Sequence, residues 1–366
     1  MDKKFDSGKK EVLRARYEAQ KIAFAPVVFQ AIRLLRDLNI LKVIEAAGKP
    51  GLKIEAIAEQ TGVSCYGVTI LCETGLSQDV LEIKDDCYRL TNVGHFLLND
   101  ELTKVNMDFI HDVCYEGLFR LDQAIATGKP SGLEVFGKWS TIYEALSHLP
   151  PKVQKSWFAF DHFYSDSAFP DALPYVFDLK PKSLLDIGAN TGKFAIQCVR
   201  HNPDVHVTMM DLPGQLAKAK ENIAAQGFGN RITEYPICDL LDSKAGFPGG
   251  FDAVWMSQFL VCFSEAQISI LLERAKEALA PQGNLFILDT YWDRQKHEIA
   301  AYCLINSSPY FTAMANGNSR MYRFSQIECL ITKAGFRIES VDDGLGMGHT
   351  LIRCRTTSNS VCLIVD

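Results

Sequence analysis

The chain has no excess of basic charge, no C-x-x-C cysteine pair and no long apolar run, and each absence narrows what it does. Lys and Arg total 38 against 44 Asp and Glu, a net charge of −6. Nucleic-acid binders draw most of their affinity from phosphates through a basic stripe, which this composition does not supply, so no nucleic-acid partner is expected. The 11 cysteines are scattered and odd in number. That excludes a zinc ribbon or a thioredoxin-type centre, and it reads as free thiols in a reducing cytoplasm with no metal site. The longest uncharged run, 299–319, is broken by Pro309 and turns polar in its second half. It is too poor in apolar residues for a membrane span. Residues 1–20 are charged and do not read as a signal peptide.

What is present is the composition of a globular protein. Hydrophobic residues make up 47% and charged residues 22% of 366, enough for two domains with full cores. Residues 183–194, SLLDIGANTGKF, organise the second half. Leu184, Leu185 and Ile187 read as a buried parallel strand, and a helix opens at Lys193. Gly188 and Gly192 let the turn between them bend sharply and approach a ligand, while the helix N-terminus offers that ligand unpaired N–H groups. Asn190 breaks the dinucleotide pattern G-x-G-x-x-G. The glycine spacing and Phe194 break the P-loop.

Residues 8–46 read as two helices, with an apolar face from Val27 to Ile44 too wide for one small domain to cover. Residues 52–60 and 64–76 read as helix–turn–helix with Ser64 as N-cap. A short hairpin turning at Asp85-Asp86 follows, then a helix from Thr91. This is a winged-helix pattern. Its second helix carries Glu73 and no Lys or Arg, which argues against DNA.

Residues 101–180 read as mostly helical. The aromatic run at Trp157, Phe158, Phe160, Phe163 and Tyr164 is either core or one wall of an apolar acceptor pocket. Beyond 183, strands and helices alternate, the pattern of a doubly wound sheet. Asp211 ends the second strand, where a carboxylate meets a ribose diol in dinucleotide folds. Asp239 follows the third strand, with Leu240 beside it to cover a ring. Pro281-Gln282-Gly283 is a turn before the fifth strand, and the last two strands, 350–355 and 360–365, are antiparallel.

Asp186…Gly192, Asp211-Leu212-Pro213, Cys238-Asp239, Phe251-Asp252-Ala253-Val254 and Pro281-Gln282-Gly283 occur in an order and spacing that resemble class I S-adenosylmethionine-dependent methyltransferases. With Tyr88-Arg89-Leu90-Thr91-Asn92-Val93-Gly94 in front, nearly the whole chain resembles the small-molecule O-methyltransferases of the caffeate and acetylserotonin type. The resemblance implies an α/β fold with a Rossmann-like seven-stranded sheet behind a mainly α winged-helix dimerisation domain. It divides the chain into 1–105, a helical linker and pocket wall at 106–180, and a catalytic domain at 181–366. It implies a cytoplasmic homodimer and S-adenosylmethionine held by Asp186, Gly188, Ala189, Asn190, Gly192, Asp211, Leu212, Cys238, Asp239, Leu240, Ser257 and Gln258. The acceptor pocket falls to Phe160, His162, Tyr164, Phe259, Val261 and Trp292.

The sequence departs from the family at one point. After the fourth strand the family reads His-Asp-Trp, the His being the general base. Here Val261 stands in the place of the base and Cys262 in that of the aspartate. The segment 314–320 supplies no glutamate to orient a base. A general base is worth roughly 10²–10⁴-fold and positioning ~7–11 kcal/mol, so its loss restricts rather than abolishes transfer. His162 and His297 are the candidate replacements. The expected function is methyl transfer to an oxygen of a small apolar or aromatic acceptor. The alternative is a sensor that binds the cofactor without catalysis.

Overall fold

The computed structural model describes residues 2–237, 239–242 and 244–357, with side chains from Lys10 onward. The chain divides into two compact units, Met1–Asp108 and Phe109–Asp366. The helical stretch from Phe109 to residue 180 therefore belongs to the second unit and does not form a third body.

The first unit is built from α1 (Asp2–Asp37), α2 (Ile40–Ala47), α3 (Ile54–Thr61) and α4 (Cys65–Ser77). Ser64 Oγ accepts the Gly67 N–H at the start of α4. The hairpin of β1 (Leu81–Lys84) and β2 (Cys87–Leu90) turns on Asp85 and Asp86. Both have positive φ, 53° and 58°, the hand that matches the twist of a two-residue hairpin loop. Thr91 caps α5 (Asn92–Asn99), and α6 (Glu101–Phe109) closes the unit. The sequence places an uncovered apolar face at Val27–Ile44, but the structure moves it. Leu35, Ile40, Leu41 and Ile44 are core, because α1 to α4 pack together over them. The bare apolar surface lies earlier on α1, at Leu13, Tyr17, Ile22, Phe24 and Val27.

The second unit starts with α7 (Leu121–Thr127), α8 (Ile142–Ala145), α9 (Pro151–Ser165) and α10 (Phe169–Phe177). A seven-stranded sheet follows: β3 (Ser183–Ile187), β4 (His206–Asp211), β5 (Ile232–Pro236), β6 (Phe251–Ser257), β7 (Leu279–Asp289), β8 (Phe336–Leu345) and β9 (His349–Thr356). Its strand order is β5-β4-β3-β6-β7-β9-β8. β9 pairs antiparallel with β7 and with β8, and the other pairings are parallel. The sequence expects a turn at Pro281-Gln282-Gly283, and the structure makes it a bulge. Phe251 pairs with Leu279 and Ala253 with Asn284, so the residues between them loop out of one continuous strand. The expected strand at 360–365 lies outside the described residues.

Helices α11 (Lys193–His201), α12 (Pro213–Gln226), α13 (Glu265–Ala278), α14 (Glu298–Tyr310) and α15 (Phe324–Lys333) connect the strands. One core packs Phe194, Trp255 and Ala219 on one face of the sheet, and another packs Leu185, Val254 and Leu272 on the other. A third core joins Val153 and Trp157 of α9 to Val261, Tyr310 and Met314. It lies beyond the carboxyl ends of the strands. The order reverses between β3, which leads to β4 on one side, and β6 on the other, and such a switch point opens a crevice for ligands. None of the described helices is long and apolar enough to cross a membrane.

Candidate active site

That crevice is a cavity of about 330 Å³, in the range of small-molecule sites. Its floor is the turn from β3 into α11. Gly188 and Asn190 both have positive φ, 78° and 50°, and asparagine is among the few side chains that tolerate this region. A Cβ at Gly188 would stand 2.5 Å from Phe259 Cδ2, so only glycine lets the ring close over the turn. Gly192, also expected at the cofactor, is the N-cap of α11 but does not line the cavity; the place of its Cβ faces Met209 and Ala219 instead.

The carboxylates here are held unusually. Asp211 Oδ2 accepts the Asn190 N–H at 2.8 Å, and Oδ1 accepts the Leu212 N–H at 2.6 Å. Each oxygen keeps a lone pair for a ligand. Burial still pushes Asp211 up to about 6. Asp186 is 2% exposed, and its Oδ2 has no partner among the described residues. Burial, reinforced by the Asp211 charge, pushes it up to about 8. Asn190 Oδ1, Ser257 Oγ, Gln215 Oε1 and Trp255 Nε1 are also buried with no partner among the described residues, and their residues line the same cavity. Buried polar atoms are almost always satisfied, so such a cluster marks the place of a polar ligand, and carboxylates this hard to ionise favour a cation.

The opposite wall is aromatic. Phe160 stacks on Phe109 at 3.9 Å and tilts against Tyr164. Tyr310 accepts Trp157 Nε1–H at 2.8 Å across 153 residues of sequence. Phe259 and Val261 come from the segment after β6, which the Ser264–Gln267 capping box anchors to α13. Val261 is 6% exposed and gives its backbone N–H to Asp289, whose carboxyl burial pushes up to about 7. Asn316 donates to the Cys262 carbonyl and accepts from Ser319. An amide thus ties down the segment in which the sequence shows no glutamate. Gln258 sits at φ 46° with its amide 2.9 Å from His349 Nε2. Burial pushes His349 down to about 4, so the ring is neutral and takes the amide hydrogen.

Of the residues singled out from sequence, Asp186, Gly188, Ala189, Asn190, Asp211 and Leu212 line the cavity, as do Asp239, Leu240, Ser257 and Gln258. Phe160, His162, Tyr164, Phe259 and Val261 line it too. Cys238 lies outside the described residues. Trp292 lies under the Arg323 guanidinium, and exposed His297 precedes α14; neither lines the cavity. His162 is committed to an acid, its Nδ1 3.4 Å from Asp166 Oδ1, and Asp166 also takes Lys193 Nζ at 2.5 Å. Sequence reasoning passed over Asp161, Tyr143, Asp289, Tyr310 and His349. Only Asp161 carried a signal, as an acid inside an aromatic helical run. Among the described residues no group of His, Cys, Asp and Glu is arranged to hold a metal.

Residues 16–88 match the Dimerisation2-like domain, and residues 168–337 match the O-methyltransferase domain. The chain is 27% identical over 324 residues to the L-tyrosine C(3)-methyltransferase of Streptomyces lavendulae, covering 87% of this chain and 86% of that one. It is 24% identical over 320 residues to the 3-amino-4-hydroxybenzoate 4-O-methyltransferase of Streptomyces cremeus, covering 85% and 82%. Among solved structures it resembles the mitomycin 7-O-methyltransferase MmcR with a TM-score of 0.71 at 18% identity, over 95% of this chain and 100% of that one. The S-adenosylmethionine-dependent methyltransferase SibL gives a TM-score of 0.67 at 23% identity, over 92% and 98%.

Proposed function

The chain belongs to the S-adenosylmethionine-dependent methyltransferases of the class I fold, with an O-methyltransferase domain behind a Dimerisation2-like domain, and from that premise we propose that its acceptor is a small phenol methylated on oxygen. The observation that carries this reading is a single cavity with a carboxylate-rich turn on one side and Phe160, Tyr164 and Tyr310 on the other.

The residues present fit the cofactor. Its charged groups match the unpartnered Asp186 Oδ2 and Asn190 Oδ1. Asp211 keeps lone pairs for a ribose diol. Asp239 and Leu240 flank a position suited to adenine. Bound there, S-adenosylmethionine supplies a sulfonium-activated methyl group. The chain's own work is to position and dehydrate: Phe259 closes over Gly188, and the aromatic wall orients a flat ring. Val261 supports the reading that no imidazole removes a proton beside the attacking atom.

A second reading follows from that same valine. An atom that bears no acidic proton, such as the ring carbon beside a phenolic oxygen, needs no base next to the methyl group. The similarity to an enzyme named for C(3) methylation of L-tyrosine favours it.

Transfer of labelled methyl from S-adenosylmethionine to a panel of phenols, with NMR of the product, tests both readings. A methoxyl signal supports the first and a ring methyl the second. Transfer to no phenol while the cofactor binds sinks both and leaves the sensor. The bare apolar face of α1 supports a homodimer. Light scattering should give twice the chain mass, and Phe24→Asp should give the monomer.

A further inference from the structure

Resting on the phenolic acceptor proposed above, we infer that Asp161 and Tyr310 form the subsite for the acceptor's own oxygen, and that Asp161 is the catalytic base this chain uses where its relatives are expected to use histidine.

Asp161 projects from α9 into the cavity at the seam between the carboxylate-rich turn and the aromatic wall. Its Oδ2 accepts Asn190 Nδ2–H at 2.8 Å. Its other oxygen has no hydrogen-bond partner among the described residues, and a quarter of the side chain remains open. The basic groups nearby lie closer to Asp166. His162 Nδ1 is 3.9 Å from Asp161 and 3.4 Å from Asp166, and Lys193 Nζ holds Asp166. A carboxylate with one oxygen free of hydrogen bonds, facing an aromatic pocket, can take a proton from a ligand.

Tyr310 supplies the complementary group. Its oxygen accepts from Trp157 Nε1, and no acceptor for its own proton is present among the described residues. Burial raises its ionisation well above the ordinary phenol value, and the charge of Asp161 adds to this. It therefore keeps its proton and has it to donate. An acceptor's phenolic oxygen placed between the two gives its proton to Asp161 and takes a hydrogen bond from Tyr310. Such a pair recognises a hydroxyl on a ring; a neutral methoxyl or an unsubstituted ring leaves Asp161 without a donor.

The groups facing Asp161 come from every neighbouring element. They are His162 on its own helix, Asp166 just beyond it, Tyr143 on α8, Asn190 at the turn, Asp211 at the end of β4, Lys193 on α11, Cys262 after β6 and Tyr310 on α14. Burial is the largest influence and raises Asp161 to about 6; His162, Lys193 and Asn190 pull against it, while Asp166 adds to it. That value suits proton removal near neutrality. The step balances: the acceptor's O–H bond breaks, its electron pair stays on oxygen, and the proton rests on Asp161 until water removes it. With S-adenosylmethionine bound, the ring's electron density would form the new bond to the methyl group, at oxygen or at the neighbouring carbon, as the methyl–sulfur bond breaks with its electron pair staying on sulfur and S-adenosylhomocysteine leaves. In the carbon case the ring hydrogen is lost to water as aromaticity returns.

The test compares Asp161→Asn with the wild type using 4-methylphenol and 4-nitrophenol, the second held above its own ionisation. Asp161→Asn should bind S-adenosylhomocysteine unchanged and lose roughly 10²–10⁴-fold in kcat with 4-methylphenol, with little loss on nitrophenolate. A second readout needs no turnover. Below the ionisation of free 4-nitrophenol, the wild type with S-adenosylhomocysteine should develop the nitrophenolate absorption band, and Asp161→Asn should not; Tyr310→Phe should weaken it. Equal losses on both phenols, or a tenfold loss of cofactor affinity with the phenol ratio unchanged, would overturn the assignment. So would a nitrophenolate band that survives in Asp161→Asn. If the wild type methylates neither phenol, the proposed function falls, and the absorption band still decides whether Asp161 takes a phenol's proton.

Discussion

Asn190 joins the two acids of the cavity: its backbone N–H binds Asp211 Oδ2 at 2.8 Å and its side-chain amide binds Asp161 Oδ2 at 2.8 Å. The left-handed turn at φ 50° points both donors of one residue at different carboxylates. Asn190→Gly keeps the turn and its backbone donor but removes the amide. That amide stabilises the ionised form of Asp161, so its loss should raise the Asp161 pKa. The acid limb of the profile of kcat against pH should move to higher pH with a phenol of high pKa. A limb that stays in place would separate Asp161 from the rate.

Glycine at 188 answers to two constraints, backbone hand and space. Gly188→Ala meets a left-handed penalty of ~1–2 kcal/mol and a Phe259 ring that must give way. Gly227, at φ 77° with nothing within 4 Å of the place a Cβ would take, bears the first penalty alone. Both alanine variants should lower Tm by roughly 2–4 °C per kcal/mol. Only Gly188→Ala should also weaken S-adenosylhomocysteine by at least ~1.4 kcal/mol, a decade in Kd. Equal affinity in the two variants would remove Phe259 from the cofactor's enclosure.

The buried acids make both stability and binding depend on pH. Folding raises Asp211 to about 6 and Asp186 to about 8, against roughly 3.9 for an unfolded aspartate. The native state therefore holds these protons more tightly. The stability they contribute is fully present below the unfolded value and is lost as pH rises through the folded ones. Without cofactor, Tm should fall between about pH 4, near the unfolded value, and pH 8, and Asp186→Asn should flatten the upper part of that fall, above about pH 6. A bound cation reverses the preference. S-adenosylmethionine, with one more positive charge than S-adenosylhomocysteine, should release more protons on binding and gain affinity more steeply with pH. Calorimetry in buffers of different ionisation enthalpy reads this directly. Equal proton release for the two would place the sulfonium away from these acids.

Val261 offers a way to locate the attacking atom. Val261→His puts an imidazole beside the expected methyl position. An acceptor that attacks through a neutral hydroxyl there should gain rate selectively over one already ionised. The ratio of kcat/KM for 4-methylphenol to that for nitrophenolate measures the gain, with Tm checked because the site is nearly closed to solvent. No gain for any neutral hydroxyl would place the oxygen elsewhere, at Asp161, with carbon facing the methyl group.

Much of the molecule is written in short-range pattern. Leu184, Leu185 and Ile187 announce a strand buried on both faces, and the two glycines announce its turn. Asp211 ends the next strand because alternating strands and helices bring such ends to one edge of a parallel sheet. Asp85-Asp86 and Ser64 carry their turn and cap in their own chemistry. These are local decisions, made by a few adjacent residues.

The acceptor side was decided only by tertiary packing. Trp157 and Tyr310 are 153 residues apart, and no periodicity predicts that an indole N–H will meet a phenol. Asp161 looked like one more polar position among aromatics until α9 folded across the strand ends and burial changed its acidity. Trp292 and His297 carried suitable chemistry in sequence, yet the chain after β7 leads them away from the cavity. The apolar residues near the end of α1 likewise read as surface for a partner, but helices α2 to α4 cover them. Sequence determines what each side chain is able to do; distance, exposure and the local dielectric, which set whether it does so, arise only when remote segments pack together.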